Sequence, residues 1–141
     1  MTNNQLPFFV YGTLRPNERN YYLVEHAVVE IQPAEMAGLE LWDMGPYPMA
    51  TEGTGRLRGD LLTLDPAHYE KALADMDLLE QVNPAAPTDP GGLYWRARRT
   101  VILPGCGGTP PVAWVYLADP ARARQGTRIL SGDWKRRHLC T

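Results

Sequence analysis

The sequence predicts an α+β fold: a small mixed β-barrel of about six short strands flanked by one or more helices, in a single domain over residues 1–141. Three observations carry this. The 13 glycines and 13 prolines stand about half again above their usual combined share of roughly 12%, which calls for many turns. Residues 94–103 and 112–117 are apolar and aromatic runs joined by a Pro- and Gly-rich segment, the pattern of an antiparallel hairpin. Only one stretch, beginning at Asp65, has clear helical periodicity. Short strands, a hairpin and one helix favour a partly closed barrel over a doubly wound sheet.

The chain opens on Phe8-Phe9-Val10 with Leu6 in front, a buried strand that breaks at Gly12 into Thr13, Leu14, Arg15 and Pro16. Exposed N–H groups at such a break, with a hydroxyl and a cation beside them, suit a carboxylate or a developing oxyanion. Taken alone, these residues read more simply as a first strand and its turn. Residues 17–26 read equally as a helix or a structured loop. Residues 28–31 and 34–43 follow as strand, the second with an irregular end, and Gly45-Pro46-Tyr47-Pro48 is a rigid turn presenting a tyrosine. Residues 53–55 read as another turn, and 56–64 as a strand.

The helix comes next. Asp65 is an N-cap and Pro66 a first helical residue, while Tyr69, Ala72, Leu73 and Met76 form one apolar stripe. Glu80 falls about 20° from Tyr69 on the helical wheel, in the middle of that stripe. Asp77 lies at the stripe's edge and Asp75 outside it. Glu is seldom buried unless paired or used. Either the helix frays and the side chain reaches water, or the carboxylate sits at a cavity rim with its pKa raised by desolvation. Residues 81–92 form a loop long enough for a lid or pocket wall. Arg96, Arg98 and Arg99 read as a solvated strand face, residues 118–130 as a loop with one helical turn, and residues 135–138 as a solvated basic tail.

Composition narrows the function. A net charge of −2 gives no reason to expect nucleic acid, and no apolar run approaches the ~20 residues that span a bilayer. With no basic, apolar leader, a cytoplasmic setting is expected. Cys106 and Cys140 have neither disulfide-scaffold nor metal-ligand spacing, and His26, His68 and His138 are scattered. GxSxG, Walker, GxGxxG and HExxH motifs are absent. What remains is one placed carboxylate, the turn after the first strand, and Tyr11, Tyr47, Tyr94 and Tyr116. That inventory suits proton shuttling on a small polar substrate without cofactor or metal. Nothing in the sequence speaks to oligomeric state.

These residues also carry a resemblance. Tyr11-Gly12-Thr13-Leu14-Arg15 resembles the YGTLR signature of the γ-glutamylcyclotransferase-like (AIG2-like) family. Gly45-x-Tyr47-Pro48, Gly59-Asp60-Leu61, Asp77-Leu78-Leu79-Glu80, Tyr94-x-Arg96 with Val101, Tyr116 and Ser131-Gly132-Asp133-Trp134 continue it in the family's order. The resemblance implies a barrel flanked by helices and Glu80 as catalytic acid/base. It makes Tyr11, Gly12, Thr13 and Leu14 the substrate-carboxylate loop, with Tyr47 and Tyr94 as pocket walls. Gln81 stands where the family usually has Gly, and the loop over 82–93 is long.

The chemistry fits the inventory. In a γ-glutamyl amine or amide the substrate's own α-amino group can attack the γ-carbonyl and close a lactam, so no enzymic nucleophile is needed. The expected activity is therefore release of 5-oxoproline and a free amine from a small γ-glutamyl substrate. The alternatives are a non-enzymatic ligand- or protein-binding module on the same fold and, more distantly, a nucleic-acid-associated protein using the arginines and the basic tail.

Overall fold

The computed structural model describes residues 5–105 and 107–137. Cys106, Cys140 and His138 lie outside them. The elements are β1 (Phe8–Val10), β2 (Val28–Asp43), β3 (Pro48–Leu64), α1 (Tyr69–Glu80), β4 (Tyr94–Thr100), β5 (Val112–Ala118), α2 (Pro120–Ala123) and β6 (Thr127–Arg128). The six strands form one sheet in the order β4-β5-β1-β3-β2-β6, with β1 parallel to β5 and the other neighbours antiparallel. The sheet curls until Glu35 of β2 meets Ile102 just beyond β4. Their backbones exchange two hydrogen bonds of 2.8 and 2.7 Å, which draws the curl into a partial barrel.

The pleat divides the core. Phe9 and Tyr11 face the barrel interior with Ala113, Val115 and Leu117 of β5, while Phe8 and Val10 face outward with Trp114 and Tyr116. Successive strand residues point to opposite faces, so β1, apolar throughout, must be covered on both sides. Its outer cover is α1, whose Tyr69, Ala72 and Met76 are buried there as the stripe requires. Burying a side chain such as Met76 contributes roughly 1.5–3 kcal/mol. Asp65 caps a 3₁₀ turn, Pro66–His68, that leads into α1 rather than α1 itself, accepting a hydrogen bond from the Ala67 N–H at 3.0 Å.

Several expectations need correction. Residues 28–31 and 34–43 are one strand of 16 residues, and β3 is one of 17, so these two are not short. Residues 53–55 do not turn the chain. They bow out of β3 opposite the lone Gly38, since Ala37 pairs with Arg56 and Leu39 with Glu52. Gly38 has φ +80°, the left-handed conformation such a bulge needs. Of the two readings of residues 17–26, the structured loop holds, with 3₁₀ turns at Tyr21–Leu23 and Glu25–Ala27 and no α-helix.

In the basic tail Lys135 and Arg136 are exposed, as expected, and Arg137 is half-buried. Lys135 Nζ donates to the Pro16 carbonyl at 2.8 Å, and the Arg137 guanidinium lies 3.8 Å from the Trp134 ring centroid. The expected turn in residues 118–130 is α2, with β6 after it. No helix among the described residues is long and apolar enough to cross a membrane.

Candidate active site

Where β1 ends, the chain folds under the turn that joins β2 to β3. A Cβ at Gly12 would lie 2.6 and 2.9 Å from Cγ and Cδ of Pro48, so only glycine fits against that proline. The turn is pinned by Arg15 N–H donating to the Gly12 carbonyl at 3.0 Å. Asn20 reinforces it, donating from N–H to the Thr13 carbonyl and from Nδ2 to Thr13 Oγ1, both at 2.9 Å. The N–H groups of Gly12, Thr13 and Leu14 have no hydrogen-bond partner among the described residues. All three residues line a cavity of about 360 Å³.

Tyr11, Tyr47, Tyr94 and Glu80 line the same cavity, so every sequence-predicted site residue converges there. Tyr11 extends inward from β1 and its hydroxyl donates to the Tyr116 carbonyl at 2.6 Å. Tyr47 stands in the β2–β3 turn, which Gly45 enters with φ +102°. Tyr94 begins β4.

Glu80 is the last residue of α1 and makes no hydrogen bond or ion pair among the described residues. Burial, and then the negative charge of Asp77 one turn earlier, pushes its carboxyl up to about 7. Because α1 stays helical through Glu80 and the side chain lines the cavity, the fraying alternative is not realised. Burial also raises the hydroxyls of Tyr11 and Tyr94, with the Glu80 charge next in importance for both, so these phenols stay neutral.

Asp77 is held differently. Its carboxylate takes both Nε and Nη2 of Arg96, at 2.9 and 3.2 Å, and accepts from the Tyr116 hydroxyl at 2.6 Å. Arg96 is buried with its guanidinium 4.5 Å from the Trp114 ring centroid, which corrects the solvated-face reading for this arginine. Arg15, expected beside the free N–H groups, is also engaged elsewhere. It bridges Asp60 and Asp133 at 2.8 Å each, tying the turn to β3 and to the C-terminal segment.

Gln81, at the helix end, has φ 59° and ψ 37°, and its N–H donates to the Asp77 and Leu78 carbonyls. That is the left-handed cap position glycine usually fills. The loop after it does not roof the cavity. Only Gln81 and Leu93, at its ends, line the cavity, while Arg96 N–H donates to the Pro87 carbonyl at 2.8 Å and holds the loop along the edge of β4. Among the described residues no group of three or more His, Cys, Asp or Glu could hold a metal ion.

Sequence reasoning missed two cavity-lining cations, Arg19 from the segment after β1 and Arg122 from α2. Both sit in segments without periodicity, where no local pattern says which way a side chain points.

The family model described as "Gamma-glutamyl cyclotransferase, AIG2-like" matches residues 8–136. A Vibrio cholerae protein named "Putative gamma-glutamylcyclotransferase" is 33% identical over 129 residues, covering 92% of this chain and 95% of that one. The Escherichia coli "Gamma-glutamylcyclotransferase family protein YtfP" is 29% identical over 127 residues, 89% of this chain and 93% of its own. Among solved structures, YkqA from Bacillus subtilis superposes with a TM-score of 0.66 at 22% identity, over 95% of this chain and 41% of that longer one. A mouse AIG2-like protein superposes with a TM-score of 0.57 at 21% identity, over 82% of this chain and 80% of that one.

Proposed function

The chain belongs to the γ-glutamyl cyclotransferase, AIG2-like family, and on that premise we propose that it cyclises a small γ-glutamyl amine or amide to 5-oxoproline with release of the amine. The observation that carries the reading is the Glu80 carboxyl, unpartnered among the described residues in a cavity it shares with the N–H groups of Gly12, Thr13 and Leu14.

The substrate supplies its own nucleophile. Its α-amino nitrogen bonds to the γ-carbonyl carbon, the bond from that carbon to the departing nitrogen breaks, and a five-membered lactam remains. Holding the substrate curled contributes most, since well-oriented intramolecular attack reaches effective molarities of about 10⁵–10⁸ M. The α-amino group must lose a proton and the departing nitrogen must gain one. Glu80 takes the first and delivers it to the second. A carboxyl near 7 is matched to both steps, a role worth typically ~10²–10⁴ in rate. The free N–H groups hold the substrate's α-carboxylate or the oxyanion, and Tyr11, Tyr47 and Tyr94 wall the site.

The test is mass-spectrometric detection of 5-oxoproline from a panel of γ-glutamyl dipeptides and amines, with wild type and Glu80→Gln side by side. Product from wild type that falls at least ~10²-fold in a folded Glu80→Gln is expected. Equal rates would remove Glu80 from the mechanism. No product from any substrate would favour a ligand-binding domain on the same fold.

A further inference from the structure

Arg15 ends the segment that carries the free N–H groups, yet it does not line the cavity. Arg15 and Arg96 are the charged residues buried among those described. Arg96 lies on the Trp114 ring and meets one carboxylate, whereas Arg15 meets two. Its Nε donates to Asp60 Oδ2 and its Nη1 to Asp133 Oδ1, each at 2.8 Å. One carboxylate would neutralise it, and buried ion pairs add little stability over apolar packing of the same volume. The second carboxylate therefore calls for another account.

Both acceptors are anchored to the same strand. Asp60 belongs to β3 and pairs with Val10, the last residue of β1. Asp133 follows Gly132, whose carbonyl accepts from the Arg58 N–H of β3 at 2.8 Å. A Cβ on Gly132 would overlap the Arg56 carbonyl oxygen, so the C-terminal segment lies backbone against backbone on β3. A side chain held by one bond can swivel about it. Two bonds from one planar guanidinium to two fixed oxygens set its direction as well as its place.

The backbone of Arg15 passes that constraint on. Its N–H donates to the Gly12 carbonyl at 3.0 Å and closes the turn that bears the N–H groups of Gly12, Thr13 and Leu14. Those groups have no partner among the described residues, so their own bonds do not hold the turn in shape. Donors that act on a substrate must already be in place when it arrives, to within about 0.5 Å. Asn20 supports the turn at Thr13, and Arg15 supports it from its far end.

We propose, resting on the cyclotransferase reading, that Arg15 is a positioning residue for the reaction: through Asp60 and Asp133 it fixes the turn of residues 12–14 in the orientation in which its N–H groups meet the substrate. The C-terminal segment around Asp133 thereby helps to shape a site whose cavity it does not line.

The experiment compares wild type, Arg15→Lys and Asp60→Ala on the γ-glutamyl compound that wild type turns over fastest. Lysine keeps the charge and loses the fork, and Asp60→Ala leaves Arg15 with one anchor. The readouts are kcat and KM for 5-oxoproline release, per folded protein and across pH, with the melting temperature beside them. Arg15→Lys should lower kcat/KM by at least about tenfold, as a displacement on the order of 1 Å does. A loss in KM assigns the N–H groups to the α-carboxylate, and a loss in kcat assigns them to the oxyanion. The acid limb of the pH profile should stay where wild type has it, because Glu80 is untouched. Asp60→Ala should lower kcat/KM in the same way, by at least about threefold.

A smaller fall in Arg15→Lys, whatever happens to its melting temperature, overturns the proposal and leaves the cyclotransferase reading standing. So does an acid limb that moves with the rate, since Arg15 would then act on Glu80 and not on the turn. If Arg15→Lys does not fold, Asp60→Ala decides by the same criterion. Absence of 5-oxoproline with wild type overturns the cyclotransferase reading instead. Kd for γ-glutamyl-alanine on wild type and Arg15→Lys then decides Arg15 alone: a loss of about tenfold supports it, and equal Kd values or no binding to either overturn it.

Discussion

Asp77 and Glu80 stand one turn apart on α1 under opposite constraints. Asp77 is fixed by a two-pronged bond from Arg96 and a 2.6 Å bond from the Tyr116 hydroxyl. Glu80 faces the cavity with no partner among the described residues. The first carboxylate is spent on structure, and the second is the one to which the proposed reaction gives the proton transfers. Asp77 still acts on Glu80 through charge, second to burial in holding its carboxyl up to about 7.

A pH profile follows from that pairing. On the proposed mechanism Glu80 is the base and works deprotonated, so kcat/KM for 5-oxoproline release should fall as pH drops through about 7. Asp77→Asn keeps the shape and removes the negative charge, so the acid limb should move to lower pH. A limb that stays in place would show that burial alone sets Glu80. A profile flat from about pH 5 to 8 would remove Glu80 as the base.

The same carboxyl links stability to pH. Burial raises it from 4.5 to about 7, so the folded state keeps its proton where the unfolded chain has lost it. This contribution is fully present below pH 4.5 and is lost as pH rises through about 7. Full ionisation costs on the order of 2–3 kcal/mol, the side chain being partly open to the cavity. Glu80→Gln should therefore melt above wild type near pH 8.5 by about 5–10 °C, with a much smaller gap near pH 5. Equal melting temperatures near pH 8.5 would mean that the carboxyl is solvated in the folded state.

Gln81 offers a stabilising change at the edge of the site. Its φ of 59° places a side-chain-bearing residue where the helix end calls for glycine. The left-handed conformation costs a residue with a Cβ roughly 1–2 kcal/mol, of which the looser unfolded chain of a glycine offsets part. Gln81→Gly should gain about 0.5–1 kcal/mol, measured by urea denaturation, and Gln81→Val should lose more than that. If both variants match wild type, the cap is not held in this conformation in solution.

The legible parts of this protein are those whose signal is local. Glu80 stands out because Tyr69, Ala72 and Met76 define a stripe it falls within, and residues 11–14 because a strand breaks there at a glycine. Arg96 was misread because its burial depends on Asp77 and Trp114, which lie 19 and 18 positions away in sequence and meet it only through the fold. Residues 53–55 resemble a turn in isolation. Their pairing across from Gly38 makes them a bulge in a continuous strand, a property of two segments rather than one. Arg19 and Arg122 share that limitation, since the cavity they line exists only after β1, α1 and β4 are brought together.

Gly12 and Pro48 test whether the turn beneath the cavity must hold its shape. A methyl group at Gly12 would press on the Pro48 ring at 2.6 and 2.9 Å, so the turn or the ring must move. Overpacking of this kind costs about 1–3 kcal/mol. Because Gly12, Thr13 and Leu14 carry the free N–H groups, the shift should also raise KM for a γ-glutamyl substrate, by about tenfold for one hydrogen bond lost to a charged group. Pro48→Ala removes the ring atoms that clash, so the Gly12→Ala/Pro48→Ala double variant should recover part of both losses. The coupling, read as a double-mutant cycle in stability and in KM, is expected at about 1 kcal/mol or more. Additive effects would mean that Gly12 is required for something other than its contact with Pro48. A stability loss without a change in KM would mean that these N–H groups do not hold the substrate.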